Sequence, residues 1–535
     1  MTAPKSMALL GDDAVAMGAI HSGIAGTYAY PGTPATEIQE AVQKYVQAFP
    51  DCGINAAWSI NEKVAMEEAV GVSMIGRRAL VNMKHVGLNV AADPFMNAAV
   101  TGCAGGVVIA VADDPSMHSS QNEQDSRYFA DFAQIPCFEP ANQQEAYDMT
   151  RAAFELSERM ETPVMMRLST RISHTRARVT FSEAVAAKPA RIPGDFNRWT
   201  LLPTNARPQY EKLLAKQGKF VDASESGGFN KLSITKGAKL GVIASGLGFN
   251  YFMENLNEGG VECSWLKVSQ YPLPAKQIDE LIRASEEILV IEEGYPFVER
   301  NLPSYLARAG KLIPIRGKLT GALPRSGELT ADCVRKALGQ PERPSHGPAP
   351  AELVRPRPPA LCKGCPHCDT FNAINEAMKG KENERLVFSD IGCYTLGFYE
   401  PFKSIHSCLC MGASVSMAKA AGENGLKYAL AIIGDSTFNH SGITPLVEGI
   451  QRKTPFVAVI LDNATTAMTG GQETLVIGEP LDRMILGMGL DPAHLRVINP
   501  IPKNHEENTR IIREEAEYRG PSVVIARRAC LQAKA

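Results

Sequence analysis

No stretch of eighteen consecutive apolar residues occurs anywhere in the sequence, so no membrane-spanning helix is expected. Net charge is nearly absent as well: 55 Lys and Arg against 58 Asp and Glu leave −3. That balance creates no field to gather nucleic acid or an anionic membrane, and neither is an expected partner. Met1 to Leu10 holds Lys5 and a short apolar run but no secretory leader with its cleavage site, so a cytoplasmic protein is expected. Without secretion, the 12 cysteines read as reduced thiols or metal ligands rather than as a disulfide framework. No short-period repeat and no low-complexity tract is present.

What is present is a chain of 535 residues, 44% apolar, too long for one core. From about residue 8 to 190, helical patterns alternate with short apolar runs. Helices are predicted at Asp13–Ile20 and Glu62–Ile75, and strands at Gly26–Tyr30, Ala79–Met83, Gly106–Val111 and Pro163–Leu168. This alternation predicts a parallel sheet wrapped by helices. Residues 195–235 are polar without a clear period and read as a connecting segment. Strands at Lys239–Ala244 and Glu287–Glu292 belong to a second α/β unit, and a Pro-rich linker fills 341–360. A third unit carries strands at Tyr428–Ile433, Pro455–Leu461 and Pro521–Ala526. The expected fold class is therefore α/β, in three α/β domains: 1–195, 196–340 with its connecting segment, and, after the linker, 361–535.

Chemistry concentrates at two strand ends of the third unit. Tyr428–Ile433 runs into Gly434-Asp435-Ser436, a helix is predicted at Thr444–Arg452, and Pro455–Leu461 then ends in Asp462-Asn463. Ligands of open α/β sheets bind outside the carboxyl ends of strands. A carboxylate from Asp435 and an amide oxygen from Asn463 are hard donors that suit Mg²⁺, which completes its shell with water and phosphate. Gly434 is read as room for close approach of a diphosphate. The arrangement resembles the thiamine-diphosphate signature, with Ser436 where Gly is usual. Two ordinary strand-to-loop turns would use the same residues. Thiamine enzymes also place a carboxyl group against the aminopyrimidine ring, and Glu62, opening an Ala/Gly-rich helix, is the candidate. Its other reading is a plain helix N-terminal acid.

Cysteines gather late in the chain: Cys362, Cys365 and Cys368, then Cys393, Cys408 and Cys410, and finally Cys530. The Cys362/Cys365 pair could serve zinc, a redox dithiol or one edge of an iron–sulfur cluster. Cys408 and Cys410 read as packing residues and Cys368 as a bystander. Cys52, Cys103, Cys137, Cys263 and Cys333 read as small buried hydrophobes.

Several motifs, in order along nearly the whole chain, carry a family resemblance. Tyr30-Pro-Gly-Thr-Pro34, Asn61-Glu-Lys-Val-Ala65, Met83-Lys-His-Val-Gly-Leu-Asn89 and His118-Ser-Ser-Gln-Asn-Glu-Gln-Asp125 are the first four. Cys362-x-x-Cys365-Pro-His367, Asp390-Ile-Gly-Cys-Tyr-Thr395, Gly434-Asp-Ser-Thr-Phe438 and Thr465-Thr-Ala-Met-Thr-Gly-Gly-Gln472 follow. Together they resemble the 2-oxoacid:ferredoxin oxidoreductases, and among them the large subunits of the indolepyruvate branch. The resemblance implies a pyrimidine-binding domain, then a transketolase-C-like domain, then a diphosphate-binding domain. It implies that Glu62 meets the aminopyrimidine, that Asp435, Asn463 and the Thr465 carbonyl hold Mg²⁺, and that Thr33 lies near the substrate carboxylate. Lys84, His85 and His118 become candidate polar residues of the active site. Cys362, Cys365, Cys393 and Cys530 become the ligands of one [4Fe–4S] cluster.

The implied reaction is thiamine-dependent oxidative decarboxylation of a 2-oxo acid, an aryl pyruvate such as indolepyruvate, to an acyl-CoA and CO₂, with coenzyme A as co-substrate. Relatives commonly continue into a C-terminal ferredoxin-like domain, whereas this sequence reaches Ala535 just beyond Cys530. Electrons are therefore expected to pass from the single cluster to ferredoxin or another protein, and a smaller gamma-type subunit and an oligomer are expected. Two other readings stay open at this point: a non-oxidative thiamine decarboxylase or carboligase, and a non-catalytic scaffold or electron-relay subunit.

Overall fold

The computed structural model describes residues 5–192, 194–344, 354–355 and 357–533. Half of the predicted linker, 345–353 and 356, lies outside these residues. The chain forms two compact units, Met1–His346 and Gly347–Ala535.

The first unit holds two sheets and a small ribbon. The ribbon pairs β1 (Ser6–Leu10) with β8 (Arg176–Thr180) antiparallel. The larger sheet runs β12-β6-β7-β5-β4-β2-β3. Its strands are β2 (Ile24–Ala29), β3 (Asn55–Trp58), β4 (Arg78–Lys84), β5 (Val107–Asp113), β6 (Cys137–Phe138), β7 (Val164–Ser169) and β12 (Gln270–Tyr271). All pair in parallel except the edge strand β12. β4, β5 and β7 are buried along their whole lengths, which is why they read as unbroken apolar runs rather than as alternation. Val107 to Val111 are at 0% exposure, and each large side chain so buried contributes about 1.5–3 kcal/mol.

The second sheet has the order β14-β13-β10-β11-β9, with β9 (Lys231–Ser233), β10 (Leu240–Ser245), β11 (Cys263–Val268), β13 (Glu287–Ile291) and β14 (Ile315–Arg316). Only the β11–β9 pair is antiparallel. One correction concerns the supposed connecting segment 195–235. It contains a 24-residue helix, Pro203–Ser226, whose buried residues Gln209, Leu213, Phe220, Ala223 and Ser224 form a narrow stripe in a polar sequence. A stripe that thin does not announce itself as a helical period.

The two sheets of this unit are joined by buried charge. Arg167 donates through Nε to Asp113 (2.6 Å) and through Nη1 to Glu139 (2.5 Å). Arg127 pairs with Asp125 (2.5 Å) and Glu292 (3.0 Å), and both guanidinium groups are 1% exposed. Acids outnumber the two arginines, and burial pushes the nearby Glu293 carboxyl up to about 7. Loss of either arginine would strand buried carboxylates and be strongly destabilising.

The second unit is one parallel five-stranded sheet, β15-β16-β17-β19-β18. Its strands are β15 (Arg385–Ser389), β16 (Tyr428–Gly434), β17 (Phe456–Asp462), β18 (Leu495–Ile498) and β19 (Pro521–Arg527). Among the described residues no helix is long and apolar enough to cross a membrane.

Candidate cofactor sites

In the first unit, polar side chains collect at the carboxyl ends of β2, β3 and β4. Glu62 is the first residue of the helix Glu62–Met74, capped by Asn61, whose Oδ1 accepts from Val64 N at 2.9 Å. Its carboxylate is 5% exposed and is pressed against Gly87, where an added Cβ would lie 2.5 Å from Glu62 Oε1. A side chain at this position would push that carboxylate aside. His85, at 1% exposure, heads the same short helix as Gly87, and neither ring nitrogen has a hydrogen-bond partner. A buried imidazole without partners is costly, and this one is well placed to meet a polar group. Lys84, the last residue of β4, donates to the Ser119 carbonyl at 2.7 Å. Burial lowers its ammonium to about 8, opposed by the Asp114 carboxylate. Ser119 Oγ also donates to the Thr33 carbonyl (3.2 Å), so Thr33, Ser119 and Lys84 form one cluster. His118 is held differently: its ring is half exposed and its Nε2 lies 3.1 Å from Glu328.

The second unit gathers the diphosphate-type residues. Asp435 begins a helical run at once, through Asp435–Thr437 and a wider π-type turn at Phe438–Gly442 into Ile443–Gln451. The predicted helix at Thr444–Arg452 therefore starts earlier, and the start of a helix is where backbone N–H groups can receive an anion. Asp435 Oδ1 accepts from Ser436 N (2.6 Å), and Oδ2 accepts from Asn463 N (3.1 Å) and Ala464 N (2.7 Å). This carboxylate thus ties the end of β16 to the end of β17. Burial, with Asp462 nearby, pushes it up to about 7. Asn463 Oδ1 accepts from Thr465 N at 3.3 Å, and Ser436 Oγ accepts from Thr466 Oγ1 at 2.8 Å. Ala464 sits at φ 63°, a left-handed conformation that costs a non-glycine residue strain. Gly434 has an additional reason: a Cβ there would come within 2.8 Å of the Tyr394 ring.

Four cysteines far apart in sequence line one cavity of about 110 Å³ beside this loop: Cys362, Cys365, Cys393 and Cys530, with Asn463 and Ala467 in its wall. Cys362 and Cys365 precede the helix Pro366–Ala377, Cys393 follows β15, and Cys530 follows β19. Cys530 N donates to the Asn463 carbonyl at 3.0 Å, so the thiol and metal-type loops share a backbone contact. Burial raises Cys365 to about 12 and Cys393 to about 11, helped by the neighbouring thiols. Without a metal these are protonated thiols, and metal binding releases their protons. Cys368 does not line the cavity. Cys408 and Cys410 are exposed rather than packed, and Cys52 and Cys333 are only half-buried, whereas Cys103, Cys137 and Cys263 are buried as expected.

Residues 17–208 match the family model for pyruvate flavodoxin/ferredoxin oxidoreductase, thiamine diphosphate-binding. Residues 390–526 match that for the C-terminal binding domain of thiamine pyrophosphate enzymes. The indolepyruvate oxidoreductase subunit IorA of Methanothermobacter marburgensis is 38% identical over 98% of this chain and 86% of its own length. That of Archaeoglobus fulgidus is also 38% identical, with the same coverage. The chain belongs to the IorA family of 2-oxo acid oxidoreductases. A 2-oxoglutarate:ferredoxin oxidoreductase from Magnetococcus marinus, with 2-oxoglutarate, coenzyme A and succinyl-CoA bound, gives a TM-score of 0.48 at 18% identity, over 59% of this chain and 62% of that one. The IorA relationship makes this an enzyme of α/β architecture with thiamine diphosphate-binding domains.

Some site residues of this IorA-family chain were not assigned from sequence. Asp390, at the end of β15, accepts from Ser414 Oγ (2.6 Å) and from the Tyr394 hydroxyl, and burial raises it to about 6. His367 lines the cysteine cavity and is kept neutral by burial, its pKa lowered to about 4. Both stood inside quoted motifs, and the position of Asp390 at a strand's carboxyl end was the available signal. Ser119 also stood inside a quoted motif, but its role rests on its reach to Lys84 and Thr33, which only the folded chain shows.

Proposed function

We propose that this chain is the catalytic subunit of a thiamine-diphosphate-dependent oxidoreductase that decarboxylates an aryl pyruvate, such as indolepyruvate, to an acyl-CoA. Electrons leave through one [4Fe–4S] cluster to ferredoxin or a partner subunit. A smaller gamma-type subunit and a higher oligomer go with this reading. Residues 1–195 serve as the pyrimidine-binding domain, 196–340 as the transketolase-C-like domain, and 361–535 as the diphosphate-binding domain, joined by 341–360.

The carrying observation is the cavity in which Cys362, Cys365, Cys393 and Cys530 converge beside Asn463. Four thiolates are the ligand set of a [4Fe–4S] cluster. Zinc takes the same kind of four-thiolate set. The likeness to indolepyruvate oxidoreductase subunits favours the cluster and with it the oxidative reaction. Leu361, Leu396 and Leu531 give the cavity apolar walls.

The donor set also fits a magnesium diphosphate: Asp435 and Asn463 supply hard oxygens, joined by the Thr465 carbonyl, while the helix start at Asp435, with Gly434 and Ser436, receives phosphate oxygens. When bound, thiamine diphosphate supplies the nucleophilic carbon and the electron sink for loss of CO₂. Glu62 holds a proton against the cofactor's pyrimidine ring, and the tight wall at Gly87 fixes its direction. Lys84 and Thr33 orient the substrate carboxylate, and His85 offers its unpaired nitrogens to the reacting end. His118, on Glu328, is assigned to the rim of the site.

The test is iron, sulfide and thiamine-diphosphate content of anaerobically prepared complex, with EPR after indolepyruvate and coenzyme A are added. A cluster signal that grows on substrate addition is expected. Glu62→Gln should lower turnover by about 10²–10⁴-fold with iron content unchanged. Bound thiamine diphosphate with no iron, even after reconstitution, would overturn the oxidative reading in favour of a non-oxidative enzyme.

A further inference from the structure

We propose that Asp12, Glu37 and His174 form a second metal site, for one divalent transition-metal ion of which Zn²⁺ fits best. Asp12 lies in the first turn of the helix Gly11–His21 and Glu37 in the first turn of Thr36–Ala48, while His174 ends the helix Thr170–His174. One ligand atom from each falls within 4.8 Å of the other two.

Acids at helix starts are common, since the helix dipole favours them. What that preference leaves unexplained is how these are buried. Asp12 is at 0% exposure, and neither of its carboxylate oxygens has a hydrogen-bond partner. Glu37 Oε2 is buried as well and faces His174 Nε2 as its one charged neighbour, and the hydroxyl of Ser173 lies beside Asp12. Carboxylate oxygens removed from water without donors are costly, and a single cation facing all three side chains satisfies them together. An imidazole in the set selects against Mg²⁺ and Ca²⁺, which take oxygen, and for the borderline ions. Tetrahedral Zn²⁺ with N and O ligands at about 2.0–2.2 Å spaces those ligands about 3.4 Å apart. His174 Nε2 and Glu37 Oε2 already stand at 3.5 Å. Their side chains are 34% and 35% exposed, leaving one side open for a water ligand.

The ion would brace two loops of the first unit. Thr36, beside Glu37, accepts from Gly32 N at 3.0 Å and so anchors the turn that carries Thr33. Thr170, at the head of the His174 helix, donates to Asp114, which also accepts from Ser119 and Ser120. Asp12, Glu37 and His174 are thus positioning residues for those loops, and the site stands whether or not the proposed substrate is correct.

The test uses the intact complex, its cluster in place, stripped with a mild chelator and then exposed to Zn²⁺, or to Co²⁺ as an optical probe, with Mg²⁺ in excess. Expected is one Zn²⁺ per chain beyond the magnesium and cluster iron, a cobalt band of a low-coordinate N/O site, and a rise in Tm of about 3–5 °C at saturation. Asp12→Asn and the more exposed His174→Gln should each weaken zinc binding at least tenfold without changing iron or thiamine-diphosphate content. Zinc held adventitiously at the cluster cysteines would not respond to either substitution. Retention of zinc by both variants would overturn the proposal, as would no uptake by the parent protein at micromolar free Zn²⁺. A metal-free Asp12→Asn protein as stable as the zinc-loaded parent would instead make the triad a proton-sharing carboxyl cluster.

Discussion

The two candidate half-sites are built in opposite ways. In the first unit, Glu62, Lys84 and His85 stand on the first or last residue of a regular helix or strand, and hydrogen-bonded backbone fixes each before any ligand arrives. In the second, Asp435 opens a helix and Cys393 a short helical turn, but Asn463 to Gln472 and the other three cysteines sit mostly on connections, with Ala464 strained and a small turn closed by Thr466 and Gln472. The polar half buys precision from rigid elements; the cysteine half gains reach, because only loops can bring positions so distant in sequence around one cavity. Sites on regular elements hold geometry more closely than sites on loops, so the second half depends more on its bound groups for final shape.

The strongest way to break this contrast is Cys530→Ser. It should lose the cluster iron and all ferredoxin-linked turnover, with thiamine-diphosphate binding and the fold of the first unit retained; iron analysis beside calorimetry reads both. If thiamine binding vanished too, the loops would not be separable parts.

A smaller effect is expected from Lys84→Met, which removes a charge-assisted contact worth about 1.5–3 kcal/mol and should cut kcat/KM about 10–100-fold. The pH profile sharpens this test. Lys84 is lowered to about 8, so the free enzyme carries its charge below that pH and loses it above. kcat/KM of the parent should fall through about pH 8 and that fall should disappear in the variant. The stability sign runs the other way: between about 8 and the ordinary lysine value the unfolded chain binds the extra proton, so stability rises with pH there.

The smallest expected change is a gain. Ala464→Gly should relieve the left-handed strain at φ 63° and raise stability by about 0.5–1 kcal/mol in denaturant unfolding. No gain would show that the loop is held in that conformation without strain.

Much of this was legible in local pattern. The buried strands β4, β5, β16, β17 and β19 were visible because apolar runs between turn residues need no partner to be recognised. Asp435 and Asn463 could be placed because strand ends are where parallel sheets expose their ligands. The helix Pro203–Ser226 was missed because its apolar stripe is too thin to give a period. Cys408 and Cys410 were read as packing residues and are exposed, since composition alone does not say which side of a loop faces solvent. Gly434 was read as room for a phosphate, and the ring of Tyr394 beside it could not be foreseen.

By itself the sequence determined the α/β character, the family, and the elements that carry Glu62, Asp435 and the cysteines, because each rests on short-range periodicity or a contiguous motif. Only the tertiary structure decided that the buried carboxylate of Glu62 stands against Gly87, that His85 is buried without partners, and that Asp12 meets Glu37 and His174. Those contacts join side chains from elements that neighbour one another only after the sheet has closed, and burial, which gives them their chemistry, exists only in the packed state.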